Sequence, residues 1–208
     1  MKTKTSILLF LLSSLFVIPS CSFLNDQVDV QQNSMQTSMW RNSADVQSAM
    51  YGMFTQFRGT FITNQIWGDL RTGLFDGGFA GASADYQLIY ENRLNSTVIS
   101  GTNWVNCYKT INIANLIIKH VPDIDFTGKD TDKNLYLANA YFVRAYAYFT
   151  IARVWGDAPI LLTGFESDKD DLFPSRQPVA DVLSQVGKDI DEALTLVPSS
   201  ANDCTIAT

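Results

Sequence analysis

The side chains that could do chemistry in this sequence are few, and their spacing excludes most reactions. His120 is the only histidine and has no HExxH pattern, cysteine or second histidine near it, so a zinc site has nothing to build on. At the end of a helical pattern its ring is expected to complement the helix dipole. Asp168, Asp170 and Asp171 resemble a calcium loop only superficially, because the loop glycine and the closing bidentate glutamate are missing. With Glu166, they lie in a break from Thr163 to Ser175 that reads as a solvated loop. Gly73, Gly77 and Gly78 lack the lysine and the preceding apolar strand of a phosphate loop, and no Gly-x-Ser-x-Gly elbow occurs. Asp69, Asp76, Asp85 and Glu91 share one glycine- and aromatic-rich stretch. Two of them facing each other across roughly 5–9 Å would suffice for glycoside hydrolysis, but no spacing selects a pair. No cofactor motif and no metal-ligand set emerges.

The three cysteines separate by context. Cys107 lies inside an amphipathic pattern and is expected to behave as a small buried hydrophobe. Cys204 lies in the tail; an exported protein could pair the two, and sequence alone leaves that open. Cys21 closes a leader. Lys2 and Lys4 precede an apolar run at 6–18 that, as a helix, would span about 20 Å, short of a bilayer core. This is an export signal rather than a membrane span. The run ends Ile18-Pro19-Ser20-Cys21, which resembles a bacterial lipobox and marks Cys21 for acylation, with Pro19 where a small residue is usual. Several acyl chains there would anchor the protein stably, at about 0.8 kcal/mol per buried CH₂.

These residues sit in a chain of 208, with 46% hydrophobic, 12% aromatic and 17% charged positions. That balance argues against intrinsic disorder. With Lys+Arg 15 against Asp+Glu 21 the net charge is −6, and losing Lys2 and Lys4 with the signal makes it −8. Such a surface does not suit nucleic acid. The organisation reads as a signal peptide at 1–20, a polar tether at 21–39 and one helical domain at 40–208.

Four helical periodicities must position everything else. Ser43 is the expected N-cap of the first, with Val46, Met50, Met53 and Phe57 on one face. Trp104, Tyr108, Ile111, Asn115 and Ile118 mark the second, closed by Pro122. The third carries Ala138, Tyr141 or Phe142, Ala145, Phe149, Ala152 and Trp155 and stops at Gly156 and Pro159. The charged 129–133 stretch is expected to form the corner before it. The fourth starts at Pro178, lines Val179, Val182, Val186, Ile190, Ala193 and Val197 along one face, and stops at Pro198. Spacing assigns Trp104, Tyr141, Phe142, Tyr146, Phe149 and Trp155 to the core, and points Arg144 at a loop or a carboxylate. Between 61 and 101 periodicity lapses, which predicts a long irregular segment holding one short helix. The alternation of Ala145, Phe149 and Ala152 follows the second helix of a tetratricopeptide repeat, although no second copy at a 34-residue period is visible. The fold class is therefore all-α, a tetratricopeptide-like scaffold with long irregular loops.

The run LANAYFVRAYAYF at 137–149, followed by VWGDAPI at 154–160, resembles the signature of the SusD/RagB family. Trp104-x3-Tyr108-x2-Ile111-x2-Ala114-Asn115 resembles that family's preceding helix. Ser175-Arg176-x2-Val179, Asp189-x3-Ala193 and Leu196-Val197-Pro198 resemble the following one, and Ala49-Met50-Tyr51-Gly52 fits as well. The resemblance implies a non-catalytic, palmitoylated lipoprotein on the outer membrane, exposed at the cell surface. It would capture a nutrient, a glycan above all, for a SusC-like TonB-dependent transporter, with no cofactor and no metal. A tetratricopeptide-like adaptor binding only protein, or a glycoside hydrolase, is the alternative. In glycan-binding members aromatic rings stack on sugar C–H faces while amides and carboxylates bind hydroxyls. Carried to this chain, that pattern implies Trp67 as stacking platform, Tyr86 as second wall, and Asp69 with Asn64 as hydroxyl partners. Family members run longer and continue with an Ala-rich helix, so the resemblance also implies truncation, exposed apolar faces, poor solubility and a poorly cooperative melt.

Overall fold

A computed structural model of the chain describes residues 39–74, 84–96, 98, 103–127, 130–166 and 174–197. Cys21, Asp76, Cys204 and the acidic cluster at 168–171 lie outside those residues, so the lipobox, the calcium resemblance and the cysteine pairing are not addressed by it. The two units of the chain divide after Met39, and the fold described here is that of the second.

Every named element is helical. Helix α1 spans Ser43–Gln65 and runs directly into a π-helical turn, Ile66–Leu70. A short α2 covers Ala84–Tyr90. Helix α3, Val105–His120, ends in a 3-10 turn at Val121–Asp123. Helix α4 is the longest, Asp130–Trp155, and α5 covers Val179–Leu196. Pairing between extended segments is limited, among the described residues, to an isolated bridge from Ala158 to Gln177.

The first cap differs from expectation by one residue. Asn42, with an extended backbone, accepts from the amides of Ala44 at 2.9 Å and Asp45 at 3.1 Å, and Ser43 is already inside the helix. The side-chain amide satisfies two of the donors that open every helix. The face of α1 is as its spacing predicts, with Val46, Met50 and Met53 buried. Its C-terminal half differs, because the helix continues through 65 and its π turn carries the chain to 70 where sequence predicted an irregular segment.

The helices stack antiparallel in chain order α1, α3, α4, α5. Trp40, just ahead of α1, stacks on His120 at 4.8 Å, while Thr60 and Thr110 share a buried hydrogen bond of 2.9 Å further along. Trp104 lies against Trp155, and Arg144 reaches Asn115, so α3 and α4 run opposite ways. Arg144 also donates twice to the Asp189 carboxylate, at 2.6 and 2.8 Å, and so holds α5 to α4. Arg144 thus holds a carboxylate, one of the partners expected of it. Gln185 completes the cluster by donating to the same carboxylate at 2.8 Å.

Helix α4 departs most from the predicted core. Phe142 and Phe149 are 53% and 45% exposed, whereas Tyr148, which no stripe selected, is fully buried. The reason is geometric. Helices α1, α3 and α5 cover three sides of α4, so Val143, Ala147 and Ile151 are buried along one side and Ala138, Ala145 and Ala152 along another, and no single stripe describes the core. Trp104, Tyr141, Tyr146 and Trp155 are half-buried. In α5, Ile190 at 40% and Val197 at 43% are likewise more exposed than their stripe implies. The 129–133 stretch is not wholly a corner, since α4 already begins at Asp130.

After Gly156 the chain returns as a strap along α3. Tyr108 donates to the Pro159 carbonyl, and Asn115 donates to the carbonyls of Leu161 and Thr163. The Tyr148 hydroxyl donates to Leu161 oxygen and accepts from Leu161 nitrogen, while Asn112 accepts from Phe165 nitrogen. The strap ends with Glu166 paired to both Lys119 and His120. Residues 163–166 are therefore held, in contrast to the solvated loop expected there. His120 does sit at its helix C-terminus, with Trp40 and Glu166 as added partners.

Candidate ligand site

Three of the four tryptophans converge at one end of the bundle, because the elements that carry them end together. The π turn projects Trp67, the last turn of α4 projects Trp155, and Trp104 caps the start of α3. Trp67 meets Trp155 edge-on at 6.5 Å, and Trp155 is tilted against Trp104 at 6.0 Å. Trp104 in turn meets Tyr108 edge-on at 5.6 Å. π turns of this kind recur at functional sites because they rotate a side chain off the regular helical path.

Cations surround this aromatic run. The Arg71 guanidinium lies 5.6 Å from the Trp67 ring centre and the Arg176 guanidinium 4.9 Å from that of Trp104. Arg153 donates to both the carbonyl and the side-chain oxygen of Asn64. A hollow of about 270 Å³ is lined by Trp67, Arg71, Arg153 and Val154.

The expected site residues divide on this geometry. Trp67 lines the hollow. Asn64 does not offer its amide to a ligand, because its nitrogen donates to the Tyr146 hydroxyl at 2.8 Å and its oxygen accepts from Arg153. It acts as a positioning residue. Asp69 follows Trp67 by two residues, roughly half a turn around the helix axis, and does not line the hollow. Tyr86 is half-buried on α2, outside that lining as well. Sequence reasoning missed Arg71 and Arg153 and read Trp155 as core alone. The signal that could have found them is the recurrence of arginine near tryptophan, Trp67-x3-Arg71 and Arg153-x-Trp155.

A second, more open groove of about 730 Å³ follows α3 past Trp104, Tyr108, Asn112 and Phe165. Asn112 accepts there from Phe165 nitrogen through its side-chain oxygen, and Gln56 donates its side-chain nitrogen to Asn106.

Nucleophilic and acid–base chemistry find little support nearby. Burial pushes the Cys107 thiol up to about 11, the opposite of an activated thiolate. Hydrogen bonds from Gln87 and Arg93 hold the exposed Glu91 carboxyl below its ordinary value, whereas a glycosidase acid needs a raised one. No group of three His, Cys, Asp or Glu that could hold a metal occurs among the described residues.

The sequence profile of the SusD-like family described as "Starch-binding associating with outer membrane" matches residues 22–208. The chain belongs to this family. Among its relatives, SusD-like protein P38 of Formosa agariphila is 29% identical over 198 residues, which cover 93% of this chain and 38% of that one. Among solved structures, the chain is similar to B. fragilis NanU, with a TM-score of 0.64 and 27% identity over 81% of this chain and 33% of the other. It is similar also to a SusD superfamily protein of Bacteroides thetaiotaomicron, with a TM-score of 0.64 and 26% identity over 76% and 36%. The SusD-like chain therefore spans about a third of the length of these relatives. Its all-α, tetratricopeptide-like scaffold is that of the SusD superfamily.

Proposed function

We propose that this SusD-like protein captures a glycan at the cell surface without turning it over. In this reading acylated Cys21 anchors it in the outer membrane, and a SusC-like TonB-dependent transporter receives the ligand. The observation that carries the reading is the convergence of Trp67, Trp155 and Trp104 beside an open hollow. Flat indole faces suit the C–H faces of pyranose rings, and binding of this kind needs no titrating group. Trp67 is the stacking platform.

The test is to incubate the full chain with a panel of oligosaccharides and to follow both binding and product. Retained binding with every oligosaccharide recovered intact supports capture. Release of shorter sugars that stops when Asp69 or Glu91 is replaced would establish a hydrolase instead. Contact with the transporter and no affinity for any sugar would leave an adaptor. In cells, Cys21→Ser should abolish palmitate incorporation and release the protein from the outer-membrane fraction.

A further inference from the structure

We infer that the hollow beside Trp67 selects saccharides carrying a carboxylate, such as uronic-acid oligomers. The inference rests on the reading of Trp67 as stacking platform and adds the charge class of the ligand. The protein as a whole is acidic, with a net charge of −6, yet the hollow's lining holds two guanidiniums and no carboxylate. Arg71 and Arg153 are each tethered at one edge by an asparagine. Asn92 accepts from Arg71 Nε at 3.0 Å, and its own side-chain nitrogen donates back to the Arg71 carbonyl. Asn92 stands in a left-handed backbone conformation, φ 54°, which turns the chain so that both contacts form. Asn64 accepts from Arg153 Nη2 in the same manner. Gly68 offers no side chain, and a Cβ there would already touch Arg153 Nη2 at 3.7 Å.

This tethering spends one edge of each guanidinium. Nη1 and Nη2 of Arg71, and Nε and Nη1 of Arg153, have no protein acceptor among the described residues. An arginine held in place with unspent N–H groups is preorganised for a planar carboxylate, since little rotamer freedom is left to lose on binding. A tryptophan beside it takes the sugar face. Neutral glycans would use the ring alone and leave the remaining N–H groups of both guanidiniums to water.

The experiment titrates the full chain with tri-galacturonate, with the neutral galactose trisaccharide, and with a sulfated galactose trisaccharide, read by tryptophan fluorescence. Tri-galacturonate should bind at least about tenfold tighter than the neutral sugar, and its advantage should shrink as salt is raised. R71Q/R153Q should abolish that advantage while far-UV circular dichroism stays unchanged. R71Q alone, which removes the exposed contact with Asn92 and the guanidinium beside the Trp67 ring, should reduce it in part. Equal binding of acidic and neutral sugars, each weakened by Trp67→Ala, would overturn the carboxylate assignment and leave glycan capture standing. Preference for the sulfated sugar would overturn the carboxylate in favour of a tetrahedral anion. No binding of any of the three, with none recovered from a wider neutral panel, would remove the capture reading itself.

Discussion

At the residue scale, Arg144 and Asp189 carry the largest local consequence. Their side chains are 5% and 1% exposed, and the carboxylate takes two N–H donors from the guanidinium while Asn115 takes a third. Removing one ion from such a pair strands the other in a medium that cannot solvate it. Asp189→Leu should therefore cost about 3–5 kcal/mol in urea unfolding. Replacing both partners with apolar residues should recover only part of that loss, because buried Asn115 then loses the donor Arg144 gives it; a double variant as weak as the single one would contradict the stranded-charge argument. Glu166 gives a pH dependence. Hydrogen bonds from Lys119 and then His120 hold its carboxyl below the ordinary value of 4.5. A depressed carboxyl stabilises the fold above its unfolded pKa and loses that contribution as pH falls through the folded one. The near-ultraviolet signal of Trp40, stacked on His120, should thus weaken below pH 4.5. Glu166→Gln should lack that transition, and a persistent transition in the variant would assign it to another group.

At the element scale, the strap that follows α4 lies close enough to α3 to exclude even a methyl group. A Cβ at the buried Gly164 would stand 2.5 Å from Leu116 Cδ2 and 3.2 Å from the Leu116 backbone nitrogen. Gly164→Ala should destabilise the fold by roughly 1–3 kcal/mol through overpacking, measured by thermal unfolding. An unchanged midpoint would mean that the strap shifts freely. Helices α1, α3 and α5 were legible in sequence because each buries one face, and a 3.6-residue period reports one face. Helix α4 was legible as a helix but not as a pattern, because its neighbours bury residues as far round the axis as Ala145 and Ala147, two positions apart and nearly opposite. The same limit hid the site. Asn64 and Trp67 looked like loop residues because Gly68 and Gly73 interrupt the pattern, whereas the chain carries its helix through them. Arg71 and Arg153 are 82 positions apart in the sequence, and only the fold brings them to one hollow.

At the scale of the whole molecule, the described helices leave an apolar strip uncovered between α4 and α5. Phe142, Ile190, Leu194 and Val197 line a groove of about 320 Å³, and Leu194 is 67% exposed. Apolar patches of this kind drive self-association in water. Leu194→Gln should raise the concentration at which the chain scatters light while leaving its helicity unchanged; equal scattering would place the sticky surface elsewhere. The opposite end of the bundle carries the tryptophans and arginines, so ligand binding and self-association should respond to separate substitutions. Glycan capture at the Trp67 hollow is tested most directly by titrating the full chain and Trp67→Ala with the same oligosaccharide. Loss of stacking on one ring should weaken binding by roughly tenfold or more with helicity intact and the sugar recovered whole. Equal affinity in the two proteins would contradict it.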